Sequence, residues 1–253
     1  MILEFSMAKQ KQRLDQKLYL DGLVESRNLA QALIRSGKVL VNDTVIDKPG
    51  AQVREHDDIR IKGEVRTFVS RGGDKLLGAI QDFQLTVSNM ICADLGASTG
   101  GFTDCLLQNG VQKVYAIDVG YGQLAWKLRQ DERVVVMERV NARHLESLPE
   151  IIDCIVADLS FISISKILPA MLRIVASEGI GVLLIKPQFE VGPQGTDGGL
   201  VKDSELREKA ILDCISAFEQ AGCHVLKRTA SKIAGAKKGN IEEWIYVQFP
   251  SKE

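Results

Sequence analysis

The chain of 253 residues lacks most of the features that assign a protein quickly. No apolar run approaches the roughly 20 residues of a membrane span. The first residues show no basic region followed by an apolar one, so no secretory leader is expected. Nor is there an amphipathic lytic helix of the kind a membrane-active toxin needs. The three histidines, His56, His144 and His224, are widely separated, and no C-x-x-C occurs, so no metal site is expected. The five cysteines, Cys92, Cys105, Cys154, Cys214 and Cys223, are odd in number and mostly lie in apolar runs. They read as buried thiols of a reducing, cytoplasmic compartment. A formal net charge of −1 provides no global basic field to advertise nucleic acid. The charge is uneven, however: 14 basic residues face 11 acidic ones through Lys75, and 18 face 22 thereafter.

What is present centres on Asp94-Leu95-Gly96-Ala97-Ser98-Thr99-Gly100-Gly101-Phe102. The apolar run before it reads as a buried strand, and Phe102 to Leu107 as the start of a helix. Strand, glycine turn and helix form the first half of a nucleotide-binding βαβ unit, in which backbone N–H groups face a ligand. The next apolar strand ends in Asp118, close to the roughly 20-residue offset at which an acid accepts ribose hydrogen bonds. The turn is not G-x-G-x-x-G, and Asp94 stands just before its first glycine. An acid there repels a pyrophosphate but suits a cationic amino group, which points to S-adenosylmethionine. The plainer alternative is a glycine turn in another doubly wound protein.

The residues from Arg13 to Lys62 read as a compact unit, with a domain boundary at 64 and a linker over 63–69. Leu14 and Leu18 share one face of a short helix. Ser26 is suited to cap a second helix with Leu29, Ala32 and Leu33 as its apolar stripe and Gly37 as its stop. Val39-Leu40-Val41, a turn at Asn42-Asp43 and Thr44-Val45-Ile46 read as a hairpin, and Ile59 to Ile61 as a further strand. Arg27, Arg35, Lys38 and Lys48 cluster around the second helix and hairpin, either as a solvated face or as phosphate-positioning residues.

From residue 70 to the end, strands alternate with helices: Ile91–Asp94, Val114–Ile117, Val134–Met137, Ile155–Ala157, Val182–Ile185, Val225–Arg228 and Ile245–Val247. A helix is expected from Ile164 to Val175, and another capped by Ser204. This alternation predicts an α/β domain with a doubly wound, mostly parallel sheet, whose ligands lie at the carboxyl ends of the strands. Asp118, Asn141, Asp158 and Lys186 fall at those ends, and Glu242 precedes the last strand. Lys75 sits beside apolar positions of a predicted helix. Lysines and acids gathered at one rim perturb each other's ionisation and make a catalytic candidate. Gly192 to Gly199 reads as a mobile loop after the catalytic strand.

Two resemblances follow from quoted stretches. R-L-D-x-x-L, G-L-V-E-S-R-N-L-A-Q-A-L-I-R-S-G-K-V-L-V-N-D and K-P-G resemble the alpha-L RNA-binding module of a small-subunit ribosomal protein. That implies an α+β RNA-binding domain over residues 1–64, with Arg13, Arg27, Arg35, Lys38 and Asn42 on its RNA-facing surface; Arg66 and Arg71 beyond it are candidates for the same role. S-R-G-G-D-K-L, D-L-G-A-S-T-G-G-F-T-D, A-I-D-V-G-Y-G-Q-L, D-L-S-F-I-S, K-P-Q-F-E-V-G, G-G-L-V-K-D and G-N-I-E resemble the TlyA family, long called hemolysins and understood as rRNA 2′-O-methyltransferases, with an FtsJ-like catalytic half. The resemblance implies a Rossmann-like S-adenosylmethionine-dependent methyltransferase domain over 70–253. It implies a catalytic tetrad of Lys75, Asp158, Lys186 and Glu242, although Glu243 competes for the last place. It also implies cofactor contacts at Asp94, Gly96, Ala97, Ser98, Thr99, Gly100, Gly101, Phe102, Asp118, Val119, Asn141 and Asp158, and ribosomal RNA, as RNA or subunit, for a partner. The chemistry fits: a ribose hydroxyl is a poor nucleophile, so the enzyme must align it and help its proton leave. Lys186 is assigned as base, oriented by Asp158 and Glu242, with Lys75 holding the hydroxyl; which lysine is neutral stays open. The rival classes are a cytolysin and a non-catalytic rRNA-binding assembly factor. Oligomeric state is not legible.

Overall fold

A computed structural model describes residues 11–24, 26–62, 67–192, 195–233 and 240–252, which divide into two compact units. In the first, β1 (Gln12–Arg13), α1 (Leu14–Leu20), α2 (Arg27–Arg35), β2 (Val39–Val41), β3 (Thr44–Val45), β4 (Gln52–Val53) and β5 (Ile59–Ile61) follow in order. An antiparallel sheet runs β3-β2-β5, and β1 pairs with β4. Ser26 caps α2 as expected, its Oγ accepting the Leu29 N–H at 3.2 Å. Asn42 and Asp43 both have positive φ, 48° and 64°, which matches the twist of the two strands they join. The stripe of α2 differs from expectation. Ala30 and Ile34 are buried, whereas Leu29 is 43% exposed, Leu33 half-buried and Ala32 exposed. Both registers place residues four apart on one face, and packing with Leu14 and Leu18 of α1 in one core selects 30 and 34.

In the second unit come α3 (Arg71–Phe83), β6 (Ile91–Leu95), α4 (Gly101–Gln108), β7 (Lys113–Asp118), α5 (Trp126–Arg129), β8 (Val134–Glu138), β9 (Ile152–Ala157), α6 (Leu168–Ile174), β10 (Val175–Ile185), α7 (Pro187–Glu190), α8 (Ser204–Gln220), β11 (His224–Ala230) and β12 (Glu243–Gln248). One seven-stranded sheet has the order β11-β12-β10-β9-β6-β7-β8. It is parallel from β10 to β8, and β12 runs antiparallel to both β10 and β11. Every strand read from the sequence in this unit lies within an observed one, whereas in the first unit the hairpin strand read as Thr44 to Ile46 ends at Val45.

Two helix boundaries moved. The stretch from Ile164 is a 3-10 turn to Lys166, then α6, which has Pro169 in its first turn; Val175 already opens β10. A proline is well placed there because its missing N–H is not needed in the first turn. Asp203, not Ser204, caps α8, accepting the N–H groups of Glu205 and Leu206 at 2.8 and 3.2 Å.

The pleat splits the core in two. Ala93, Leu95, Leu183, Ile185, Ile245 and Val247 pack on one face of the sheet with Met171 of α6 and Phe218 of α8. Cys92, Val114, Ala116, Cys154, Val156, Val182, Leu184 and Trp244 pack on the other with Leu76 of α3 and Phe102 of α4. All five cysteines are buried free thiols.

Candidate active site

The same alternation orders the site. Successive side chains along a strand point to opposite faces. Residues 92, 114, 154, 182 and 244 face α3 and α4, so by parity Asp94, Asp118, Asp158, Lys186 and Glu242 belong to that face too. Because β12 is antiparallel and Glu243 lies opposite Ile185, the start of β12 meets the carboxyl end of β10. Glu242 therefore reaches the same rim as Lys186.

The parity also separates the two neighbouring glutamates. Glu242 is 2% exposed and accepts from Lys75 Nζ of α3 at 2.6 Å. Glu243 points to the opposite face, where Arg228 Nε stands at 3.4 Å from its carboxylate.

Lys186 Nζ forms the second pair, 2.5 Å from Asp158 Oδ1 and 3.1 Å from Ser160 Oγ. Glu242 was expected to orient Lys186 together with Asp158; its hydrogen bond goes instead to Lys75, because Lys75 rises from α3 over the start of β12. The four residues are thus two lysine–carboxylate pairs, joined through Asp158. Burial pushes the Asp158 carboxyl up, and the charges of Lys186 and Lys75 outweigh this to hold it below the usual carboxylate range.

The glycine turn is built from both sides. Gly96 has φ 87°, and a Cβ there would meet the Asp158 carbonyl oxygen at 2.8 Å, so the turn lies directly on the end of β9. Asp118 holds the turn in shape: its carboxylate accepts the N–H groups of Ser98 at 2.8 Å and Gly120 at 2.6 Å. Ser98 Oγ donates to Gln123 Oε1, and the Thr99 carbonyl accepts from Ala125 N. Asn141 begins a short 3-10 turn and accepts from Arg143 N at 3.0 Å, while Val119 is 68% exposed beside Asp118.

Asp94 is fully buried. Its Oδ2 accepts from Thr103 N and Thr103 Oγ1, at 2.9 and 2.7 Å, while Oδ1 is buried without a partner. Burial, opposed by Thr103 and reinforced by the charges of Asp158 and Asp118, pushes its carboxyl up to about 7. Thr103, in the F-T-D end of the motif, has no site role assigned from the sequence; it shares the first turn of α4 with Phe102.

Part of the turn serves packing. Phe102 is 3% exposed with its ring tilted on Trp244, so only its backbone is left for a ligand. A Cβ on Gly101 would stand 2.2 Å from Ser70 Oγ and 2.8 Å from Gly73 N, and one on Gly100 2.3 Å from a Leu128 methyl. The missing side chains at 100 and 101 admit α3 and α5 rather than a ligand. The close approach of α3 at Gly101 and Gly73 places Lys75 over the rim. We expect Gly101→Ala to destabilise the fold by about 1–3 kcal/mol, the scale of overpacking, measurable as a lowered midpoint in urea.

Among the candidates for RNA contact, Arg35 and Lys38 are exposed. Arg13 and Arg27 pair with Asp15. Asn42 is committed to its own unit: its amide donates to Asp57 Oδ1 and its oxygen accepts from Asp58 N. Arg71 opens α3. Arg66 lies outside the described residues, as do residues 193 and 194 of the expected loop.

A mixed seven-stranded sheet with paired lysines and acids at the carboxyl rim defines a Rossmann-like methyltransferase. The FtsJ-like methyltransferase family matches residues 68–249, and the S4 domain matches residues 12–59. The chain belongs to the FtsJ-like methyltransferase family and groups with its TlyA members. Hemolysin A of Brachyspira hyodysenteriae is 44% identical over 234 residues, covering 91% of this chain and 97% of that one. The 16S/23S rRNA (cytidine-2′-O)-methyltransferase TlyA of Mycobacterium tuberculosis is 42% identical over 240 residues, covering 93% and 89%. A solved structure from Streptococcus thermophilus, described as a candidate hemolysin, superposes with a TM-score of 0.80 at 40% identity, covering 96% and 90%.

Proposed function

We propose that this protein transfers the methyl group of S-adenosylmethionine to the 2′-hydroxyl of a cytidine in ribosomal RNA. The observation that carries this reading is the pair of lysine–carboxylate contacts, Lys75 with Glu242 and Lys186 with Asp158, beside an acid-flanked glycine turn. The relatives named for rRNA cytidine 2′-O-methylation supply the substrate class. S-adenosylmethionine brings a methyl group already activated by a sulfonium, so the protein's work is at the hydroxyl. Lys186, once its ammonium has lost a proton to solvent, receives the hydroxyl proton on the neutral amine; Asp158 fixes that amine, and Lys75, held by Glu242, orients the ribose oxygen. Gly96 to Thr99, Asp118, Val119 and Asn141 line the cofactor's place. The unpartnered Oδ1 of Asp94 fits a cationic amino group, which a buried carboxylate otherwise lacks. Incubation of purified ribosomal subunits and free rRNA with labelled S-adenosylmethionine, followed by mass mapping of rRNA fragments, tests the proposal. Label appearing in protein or small molecules but never in rRNA would sink it.

The Asp94 assignment has a pH signature. A carboxyl with its midpoint near 7 holds a proton below that pH and must release it to pair with an ammonium. Affinity for S-adenosylmethionine is therefore expected to rise with pH through about 7, approaching tenfold per unit below it. Asp94→Asn should flatten the profile. Calorimetry at pH 6 and 8 on both proteins decides, and an unchanged slope in the variant removes Asp94 from the site.

Arg35 and Lys38 are exposed and are expected to meet RNA phosphates. Replacing both with alanine should weaken rRNA binding and lower its salt dependence by roughly one to two counterions, with cofactor binding intact. An unchanged salt slope would make them a solvated face.

A further inference from the structure

Asp15 is a charged side chain for which the methyl-transfer reading has no use, and it is fully buried in a small unit where an isolated charge is costly. Its four bonds account for it. Oδ1 accepts from Arg13 Nε at 2.9 Å, and Oδ2 from Arg13, Arg27 and Gln31 at 3.2, 3.0 and 2.9 Å. These partners come from β1 and from α2, so one carboxylate on α1 ties three elements together. Both arginine side chains remain about half exposed, at 46% and 48%.

Each guanidinium has five N–H donors. Arg13 spends two on Asp15 and Arg27 one, and among the described residues their other donors have no protein partner. The loop makes room for this: a Cβ on Gly50 would stand 3.2 Å from one terminal nitrogen of Arg13. The Arg13 bonds, ahead of burial, hold Asp15 ionised, well below the usual carboxylate range.

We infer that Asp15 is a positioning residue that holds Arg13 and Arg27 side by side as a fork for one backbone phosphate of the RNA. The inference rests on the proposed rRNA substrate and goes beyond it in giving the buried acid a role in recognition. Fixing two flexible arginines before binding lowers the entropy lost on binding, and planar forks suit phosphate oxygens. The carboxylate is buried beneath the two arginines, so it presents no oxygen to a phosphate approaching their outer donors.

The test turns on a sign. Asp15→Asn removes a buried negative charge from beneath the two guanidiniums and leaves every cation in place. If these residues form only a solvated, structural cluster, affinity for rRNA rises or stays the same. If Asp15 positions a fork, affinity for folded, deproteinised rRNA falls at least tenfold, while binding to a homopolymeric single strand does not fall. Filter binding across salt concentrations, with thermal unfolding and cofactor calorimetry on the same samples, separates these outcomes. Should Asp15→Asn fail to fold, Arg27→Lys serves: charge is kept, the fork is lost, and the same tenfold drop is expected. Wild-type affinity for rRNA from either variant would overturn the inference. A wild-type protein that binds no rRNA in the same assay would instead overturn the substrate reading.

Discussion

Lys186→Ala is expected to lower the single-turnover rate of methyl transfer by about a hundred- to ten-thousand-fold, the range of general acid–base contributions. Fold, cofactor binding and RNA binding should be largely kept. Lys186 follows a buried strand with its side chain only 12% exposed and ends 2.5 Å from Asp158 and 3.1 Å from Ser160. Its proposed task starts as the hydroxyl proton leaves, so its loss appears in turnover rather than in binding. The acid it abandons is not stranded, since Lys75 also acts on Asp158, whose side chain is 23% exposed. A drop of less than tenfold would sink the base assignment. A large drop with cofactor binding lost would make Lys186 a cofactor residue.

Lys75→Ala is expected to cost stability as well as activity, and this contrast separates the two lysines. Glu242 is 2% exposed, and its carboxylate pairs with Lys75. Removing one member of a buried pair leaves an uncompensated charge, which typically costs about 3–5 kcal/mol; the 10% exposure of Lys75 places the expectation toward the lower end. The double variant Lys75→Met with Glu242→Gln should recover most of that stability while staying inactive, because no buried charge remains and neither does the ammonium. Urea unfolding and single-turnover rates measured on the same proteins check both parts. A stable, inactive Lys75→Ala would show that Glu242 finds another partner. A stable, active one would remove Lys75 from the site.

Much of this was legible in the chain. Seven strands could be marked because each is an apolar run bounded by turn residues. The glycine turn, its preceding acid and Asp118 stood out because they depart from the dinucleotide pattern in a chemically meaningful way. Ser26 could be named as a cap because capping is local: the side chain reaches only to the N–H three residues on. Locality also explains where reading failed. Asp203 and Ser204 are both good caps and adjacent, so the backbone conformation at the helix start decides between them. The stripe of α2 had two registers, and only the packing partner chooses.

The sequence by itself determined the order of strands and helices, the turn chemistry and which polar residues end which strands, since these depend on residues near one another in the chain. The tertiary structure decided who pairs with whom. Lys75 and Glu242 are far apart in sequence, and only the insertion of antiparallel β12 beside β10 brings them together. Glycines 100 and 101 looked like space for a ligand, and the packing of α3 and α5 fills it. Asp15 looked like one polar residue on a short helix, and its burial beneath two arginines appears only once β1, α1 and α2 are packed. The physical reason is the same in each case. A buried charge is tolerated only with a partner, and the partner's position is set by how the elements pack, which no local pattern records.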